Sequence, residues 1–219
     1  MFSIDPEKYR VIDLSYQVDP DNYPPDRPFA LTLGYLADNA FKYDVSTHSH
    51  VGTHVESPAH FYEGGRDITS YPLEAFYGRA VLLDVPDVAA ATPLDASYLE
   101  TSIGTKVQHG DIIVCRNSDS ASLKAGVPSG YPTLTPSAAR WFAGRGIKML
   151  GIDNCFRLGK DIADGRALHD ILMSQGVTLI EWLDNLSAIS QPVFFFMALP
   201  FKVRKMDSSW ARAIAIEER

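Results

Sequence analysis

Four of the six histidines of this 219-residue chain crowd into one stretch, Thr47-His48-Ser49-His50-Val51-Gly52-Thr53-His54-Val55-Glu56-Ser57-Pro58-Ala59-His60-Phe61. Such clustering is hard to assign to packing alone. Neutral imidazoles with a carboxylate are the ligands zinc prefers, and they suit manganese or iron as well. His50 and His54 are spaced for one face of a helix, but Gly52 weakens a helix and Pro58 disfavours one at Ser57. A zinc site on a helix is therefore a poor reading. In a fully extended strand the same two residues would stand about 13 Å apart at ~3.3 Å per residue, too far to share an ion with nitrogen bonds of ~2.0–2.1 Å. The chain has to bend between them. Gly52 is the residue that permits the bend, and Pro58 stiffens the exit toward His60.

The elements that must position this stretch are legible mostly in the second half. Apolar, β-branched runs predict buried strands at Arg79 to Val85, Asp111 to Arg116, Ile147 to Ile152, Val177 to Leu183 and Val193 to Leu199. Between them, Thr135-Pro136 offers an N-cap and a first-turn proline for a helix over Ser137 to Gly144. Asp164 to Gln175 repeats apolar residues at Ala167, Leu168, Ile171 and Leu172, with Gly176 where a left-handed C-terminal residue belongs. Strands alternating with helices predict an α/β fold, a mixed β core flanked by helices. Up to about Pro72 the chain is richer in Pro, Tyr and turn residues and reads as hairpins and loops. No linker or repeat marks a boundary, so a single domain over 1–219 is expected.

The histidine stretch resembles the hallmark of the metal-dependent cyclase-like hydrolases, the family of bacterial kynurenine formamidase and isatin hydrolase. That hallmark reads His-x-Gly-Thr-His-x-Asp-x-Pro-x-His-Phe, and His50 to Phe61 matches it at every defining position except the Asp, which is Glu56. The resemblance extends to Ile12-Asp13-Leu14-Ser15, to the turn Tyr23-Pro24-Pro25-Asp26 and to Gly151-Ile152-Asp153. It implies the swivelling β/β/α fold of that family. It also implies that His50, His54 and Glu56 bind one divalent ion, zinc or manganese, and that Glu56 bridges to a second held also by His169 and Glu181. His60 would carry protons, and Tyr23 would touch substrate. Two segments depart from the pattern: Asn154 to Gly159, in a region that shapes specificity, and Ser208-Ser209-Trp210, where a Gly and a Pro are lost and a Trp is gained.

The residues of the later pair, taken without the family, say less. His169 falls on the expected helix. Glu181 interrupts an apolar strand, where a carboxylate is costly to bury unless paired or metal-bound, and an edge position or a salt bridge serves equally well. His48 reads as a neighbour of the ligands or as a surface residue, His109 as a turn residue, and Phe194-Phe195-Phe196 as a core strand rather than a pocket wall.

A divalent ion lowers the pKa of a bound water to about 7 and polarises a carbonyl, so the implied reaction is hydrolysis of an amide, lactam or lactone. Arylformamidase-like cleavage of a small cyclic or aromatic substrate is the expectation. A serine-hydrolase reading fails for want of a Gly-x-Ser-x-Gly elbow. A cysteine nucleophile is disfavoured, since Cys115 and Cys155 each end a strand-like run and read as buried reduced thiols. The rival from another class is a metal-stabilised binding or regulatory protein that has lost turnover, against which retention of His60 speaks.

Composition closes off other classes. With 20 Lys+Arg against 27 Asp+Glu the net charge is −7, which disfavours nucleic acid as a partner. No stretch reaches the roughly 20 apolar residues of a membrane span, and the first ten residues lack the apolar core of a signal peptide. A soluble, cytoplasmic protein is expected, and the resemblance implies a homodimer or homotetramer.

Overall fold

The computed structural model describes residues 4–21, 28–85, 93–117, 131–153 and 155–219. In chain order its strands and helices are β1 (Tyr9–Asp13), β2 (Ala30–Tyr35), β3 (Phe41–Ser46), β4 (His54–Glu56), β5 (Tyr77–Val85), β6 (Pro93–Leu94), α1 (Ala96–Ile103) and β7 (Ile112–Asn117). They continue with β8 (Thr133–Leu134), α2 (Pro136–Arg145), β9 (Met149–Asp153), β10 (Arg157–Leu158), α3 (Ile162–Met173), β11 (Thr178–Leu183), β12 (Val193–Pro200) and β13 (Ser208–Glu218). The five expected strands and two expected helices are present, with ends displaced by one or two residues. The eleven-residue β13 and the helix α1 were not anticipated.

Parallel strands β5, β7, β9 and β11 are buried on both faces, which is why they read as continuous apolar runs. Along β5, Val81, Leu83 and Val85 face one core with Leu99, Phe142, Leu168 and Leu172 from the helices. Ala80 and Leu82 face the second core with Val55, Phe196, Ala213 and Ala215. The main sheet runs β1-β13-β12-β5-β7-β9-β11-β4, and β4 also pairs with the start of β13. The sheet therefore curls until its last strand meets its second, with one core inside the curl and the other under the helices.

Local signals explain the helix ends. Thr135 caps α2 by accepting the Ala138 amide, and Pro136 occupies the first turn, where no amide donor is needed. Gly176, at φ +77°, follows α3, and its N–H donates to the Met173 carbonyl. Phe194 and Phe196 point into the inner core, as expected, while Phe195 lies on the opposite face against Tyr77. Cys115 and Cys155 are both buried thiols, and burial pushes the Cys115 thiol well above its usual range, which removes it as a nucleophile. Strands β2 and β3 form a separate two-stranded ribbon. Its register places Leu31, Leu33 and Tyr35 opposite Val45, Tyr43 and Phe41, and all six are exposed.

Among the described residues, no helix is long and apolar enough to cross a membrane.

Candidate metal centre

Strand β4 sits between β11 and β13, with His54 opposite both Glu181 and Trp210. Residues two apart on a strand share a face, so His54 and Glu56 point the same way while Val55 enters the inner core. His54 is fully buried and Glu56 nearly so. His50 comes from the preceding turn, which folds back over β4 because Gly52 adopts φ +65°. A Cβ there would also lie 2.7 Å from Val18 Cγ2. The Gly52 carbonyl accepts the His54 Nδ1 proton at 2.7 Å, so the bend also fixes which nitrogen of His54 faces the site. Pro58–His60 form a short 3₁₀ turn with Pro58 at its start, delivering His60 to the same cleft.

The second group arrives on other elements. On α3, Leu168, Leu172 and Met173 pack into the core under the sheet, which turns His169 toward β4. Its Nδ1 donates to the Gly165 carbonyl one turn back at 2.7 Å. Glu181 reaches the site through an irregularity in β11. The register to β9 shifts between Ile180 and Leu183, and Trp182 adopts φ +59°, an uncommon conformation for a large side chain. Thr53 Oγ1 donates to the Trp182 carbonyl at 2.6 Å, which holds this bulge against the metal-motif turn.

His50, His54, Glu56, His60, His169 and Glu181 are thus brought into one cleft, while Tyr23 lies outside the described residues. His50 Nδ1 stands 2.8 Å from Glu56 Oε1 and 3.3 Å from His54 Nε2, and His54 Nε2 is 3.4 Å from the same oxygen. On the other side, His169 Nε2 is 3.6 Å from Glu56 Oε2, and Glu181 Oε2 is 4.0 Å from His54 Nε2. The two oxygens of Glu56 therefore face two donor sets, His50 with His54 and His169 with Glu181. His60 Nε2 lies farther out, 4.0 Å from Glu56 Oε1. His48 is exposed and accepts the His50 amide proton through Nδ1.

One residue that sequence reasoning missed completes the cleft. Asp207 Oδ2 accepts from His50 Nε2 at 2.8 Å and from His60 Nδ1 at 3.0 Å. A lone Asp, far in sequence from both histidines, carries no spacing signal.

The donor chemistry fits a divalent ion. His54 and His169 spend their Nδ1 protons on backbone carbonyls, and His50 spends its Nε2 proton on Asp207. The remaining ring nitrogens of the neutral imidazoles are acceptors, and all converge on a carboxylate that is also an acceptor. Among the described residues, Glu56 Oε2 is buried with no hydrogen-bond partner. Only cations or added protons reconcile such a cluster. Ligands at ~2.0–2.1 Å around a tetrahedral ion stand about 3.3–3.4 Å apart, which matches the His50–His54 and His54–Glu56 separations, while His50 and Glu56 stand closer, at 2.8 Å. The second set is wider.

Charges in the cluster point the same way. Burial opposes ionisation of Glu56, but His169, His50 and His54 outweigh it and hold the carboxyl far below its usual range. Burial, together with the Glu56 charge, pushes Glu181 up. Burial works against protonation of His50 and of His169, yet Glu56, joined by Asp207 at His50, raises both above the usual 6.5. For Asp207, burial is outweighed by hydrogen bonds from His50, His60 and Ser49, and the group stays a carboxylate. A raised histidine pKa stabilises the metal-free fold fully below the unfolded value of 6.5 and loses that contribution as pH climbs through the folded value. The metal-free protein is therefore expected to melt at a lower temperature as pH rises above about 6.5. Zinc affinity should rise over the same window, because the ion must displace those protons. Calorimetry in buffers of different ionisation enthalpy reads the proton release, and binding independent of pH would contradict this charge assignment.

Beside the centre lies a cavity of about 230 Å³ lined by Ile152, Asp153, Phe156, Leu158, His169, Glu181 and Trp182. A shallower cleft of about 590 Å³ adjoins it through His169 and Leu158, with Phe61 on one wall and Arg157, Lys160 and Arg166 along its rim.

A curled α/β sheet in which β4, held between β11 and β13, gathers two convergent donor sets around one carboxylate is the frame of a metal-binding protein. The chain belongs to the Cyclase family, whose model, described as "Putative cyclase", matches residues 12–156. It is similar to the kynurenine formamidase of Bacillus mycoides (strain KBAB4), 25% identical over 216 residues that cover 93% of this chain and 95% of that protein. It is also similar to Cyclase-like protein 3 of Oryza sativa subsp. japonica, 26% identical over 199 residues, covering 87% of this chain and 70% of that one. Among solved structures, isatin hydrolase A of Labrenzia aggregata, bound to benzyl benzoate, superposes with a TM-score of 0.77 at 22% identity, covering 96% of this chain and 94% of that chain. This last likeness shows the shared fold.

Proposed function

We propose that the protein is a metal-dependent hydrolase that cleaves an amide, lactam or lactone bond in a small substrate with a cyclic or aromatic part, in the manner of kynurenine formamidase or isatin hydrolase. The observation that carries this reading is the convergence of acceptors on Glu56, each oxygen facing its own set of donors. His50, His54 and Glu56 would hold one zinc or manganese ion, and Glu56, His169 and Glu181 a second. A bound divalent ion supplies an activated water and a polarised carbonyl.

The chain's own groups supply the rest. His60 donates its Nδ1 proton to Asp207, so Nε2 is the nitrogen left to take a proton on the cleft side and return it to the leaving nitrogen or oxygen. Phe61, Phe156 and Trp182 offer flat apolar surface to a ring. Arg157, Lys160 and Arg166 line the cleft with Asp161, and Lys160 and Arg166 are paired with Asp164 and Asp170, so the wall is close to neutral and suits a neutral or singly anionic molecule.

The test is a hydrolysis screen of the zinc- and manganese-loaded protein over N-formyl aromatic amines, isatin-like lactams and small lactones. Turnover that disappears on chelation and returns with the ion is expected. No turnover across the three classes, with the ion bound, would favour a binding protein instead.

The proposal extends to assembly and compartment. An isolated two-stranded ribbon is marginal in water, and the exposed apolar face of β2 and β3 suits burial against a second copy in a homodimer or homotetramer. A monomer in sedimentation velocity would contradict it. Buried thiols at Cys115 and Cys155 suit a reducing compartment such as the cytoplasm.

A further inference from the structure

We propose that Asp207 is a positioning residue whose one carboxylate oxygen serves both the metal ligand His50 and the proton carrier His60, so that ion retention and proton transfer depend on the same contact. The inference rests on the roles given to His50 and His60 above.

The geometry is specific. Oδ2 accepts from His50 Nε2 at 2.8 Å and from His60 Nδ1 at 3.0 Å, and the two rings lie 4.3 Å apart between centroids. Each contact fixes a tautomer. A proton on His50 Nε2 leaves Nδ1 to face Glu56, and a proton on His60 Nδ1 leaves Nε2 to face the cleft. If either ring took the other tautomer, it would present a proton where the site needs a lone pair.

The carboxylate is itself held. Oδ1 accepts from Ser49 Oγ at 3.0 Å. The Asp207 carbonyl accepts both the Ser57 amide at 2.9 Å and the Ser57 hydroxyl at 2.8 Å. Ser208, the next residue, donates through Oγ to the Ser49 carbonyl at 3.2 Å. The start of β13 is thus stitched to both ends of the histidine turn, and the side chain is placed by its backbone. Partners of this kind typically change metal affinity or activity 10–100-fold when removed.

The experiment uses the full chain with zinc as the probe. Zinc affinity is measured by chelator competition for the parent, Asp207→Ala and Asp207→Asn, and the ring tautomers of His50 and His60 are read from ¹⁵N shifts of the zinc-loaded protein. Asp207→Ala is expected to bind zinc 10–100-fold more weakly. Its His60 should lose the single Nδ1–H tautomer of the parent. Asp207→Asn keeps the size and one acceptor without the charge, so it should fall between the two, and it carries the test if the Ala variant does not fold. Parent-like zinc affinity and tautomers in both variants would overturn the proposal. Weakened zinc with an unchanged His60 tautomer would also overturn the shared role, since Asp207 would then serve His50 alone. A parent that binds no zinc would instead refute the proposed metal site, a separate result.

Discussion

His60→Ala is expected to keep its ions and to lose 10²–10⁴-fold in hydrolysis rate, the span typical of a general acid–base group. The structure places this histidine farther from Glu56 Oε1 than the ligands of the first set. His50 Nδ1 and His54 Nε2 lie 2.8 and 3.4 Å from Glu56 Oε1, whereas His60 Nε2 is 4.0 Å away. Its other nitrogen is committed to Asp207 at 3.0 Å. Removing the imidazole therefore deletes a proton carrier and leaves both donor sets intact. Elemental analysis of the purified variant beside kcat on the best substrate from the screen reads both quantities. A metal-free variant would make His60 a ligand and require the roles to be redrawn. A fully active one would dismiss it from the chemistry.

Glu56→Gln is expected to have the larger effect on metal, weakening zinc binding beyond the 10–100-fold that outer partners cost. A glutamine has one acceptor where the glutamate has two. One of its ends must present N–H protons to a donor set whose imidazoles already offer lone pairs, and the negative charge shared by both sets is gone. Glu56→Asp keeps the charge and is the residue of the family motif, so it should retain affinity despite losing a methylene. The spacing of the two sets adds a detail. The His50, His54, Glu56 donors stand 2.8–3.4 Å apart, while in the second set His169 Nε2 stands 3.6 Å from Glu56 Oε2. The second ion should accordingly be the weaker one. Equal zinc affinity in Glu56→Gln and the parent, by chelator competition, would show that Glu56 is not a ligand.

How much of this was legible in the sequence follows from where each signal lives. Strands β5, β7, β9 and β11 announced themselves because burial on both faces demands continuous apolar residues. The longest strand, β13, did not. Its inward row runs through Ala211, Ala213 and Ala215 to the buried carboxylate Glu217, alternating with Arg212, Ile214 and Ile216, so its apolar content is diluted by small and charged side chains. The bend at Gly52 was readable because an extended chain cannot bring His50 and His54 to one ion, and the observed φ of +65° supplies that bend. Glu181 was visible as a carboxylate in an apolar strand. The bulge that turns it into the cleft was not, because a left-handed Trp182 has no local signature and is held by Thr53 from the turn before β4. Asp207 escaped for the same reason: its meaning lies in contacts across the fold with His50 and His60.

The most direct test is metal stoichiometry. Stripping the purified chain with a chelator and titrating it with zinc should show two ions per chain, the first tight and the second weaker, with proton release on binding. His54→Ala, which removes a fully buried imidazole from the centre of the cluster, should abolish the tight ion. A parent chain that takes up no zinc or manganese, or a His54→Ala variant with full metal content, would contradict the account.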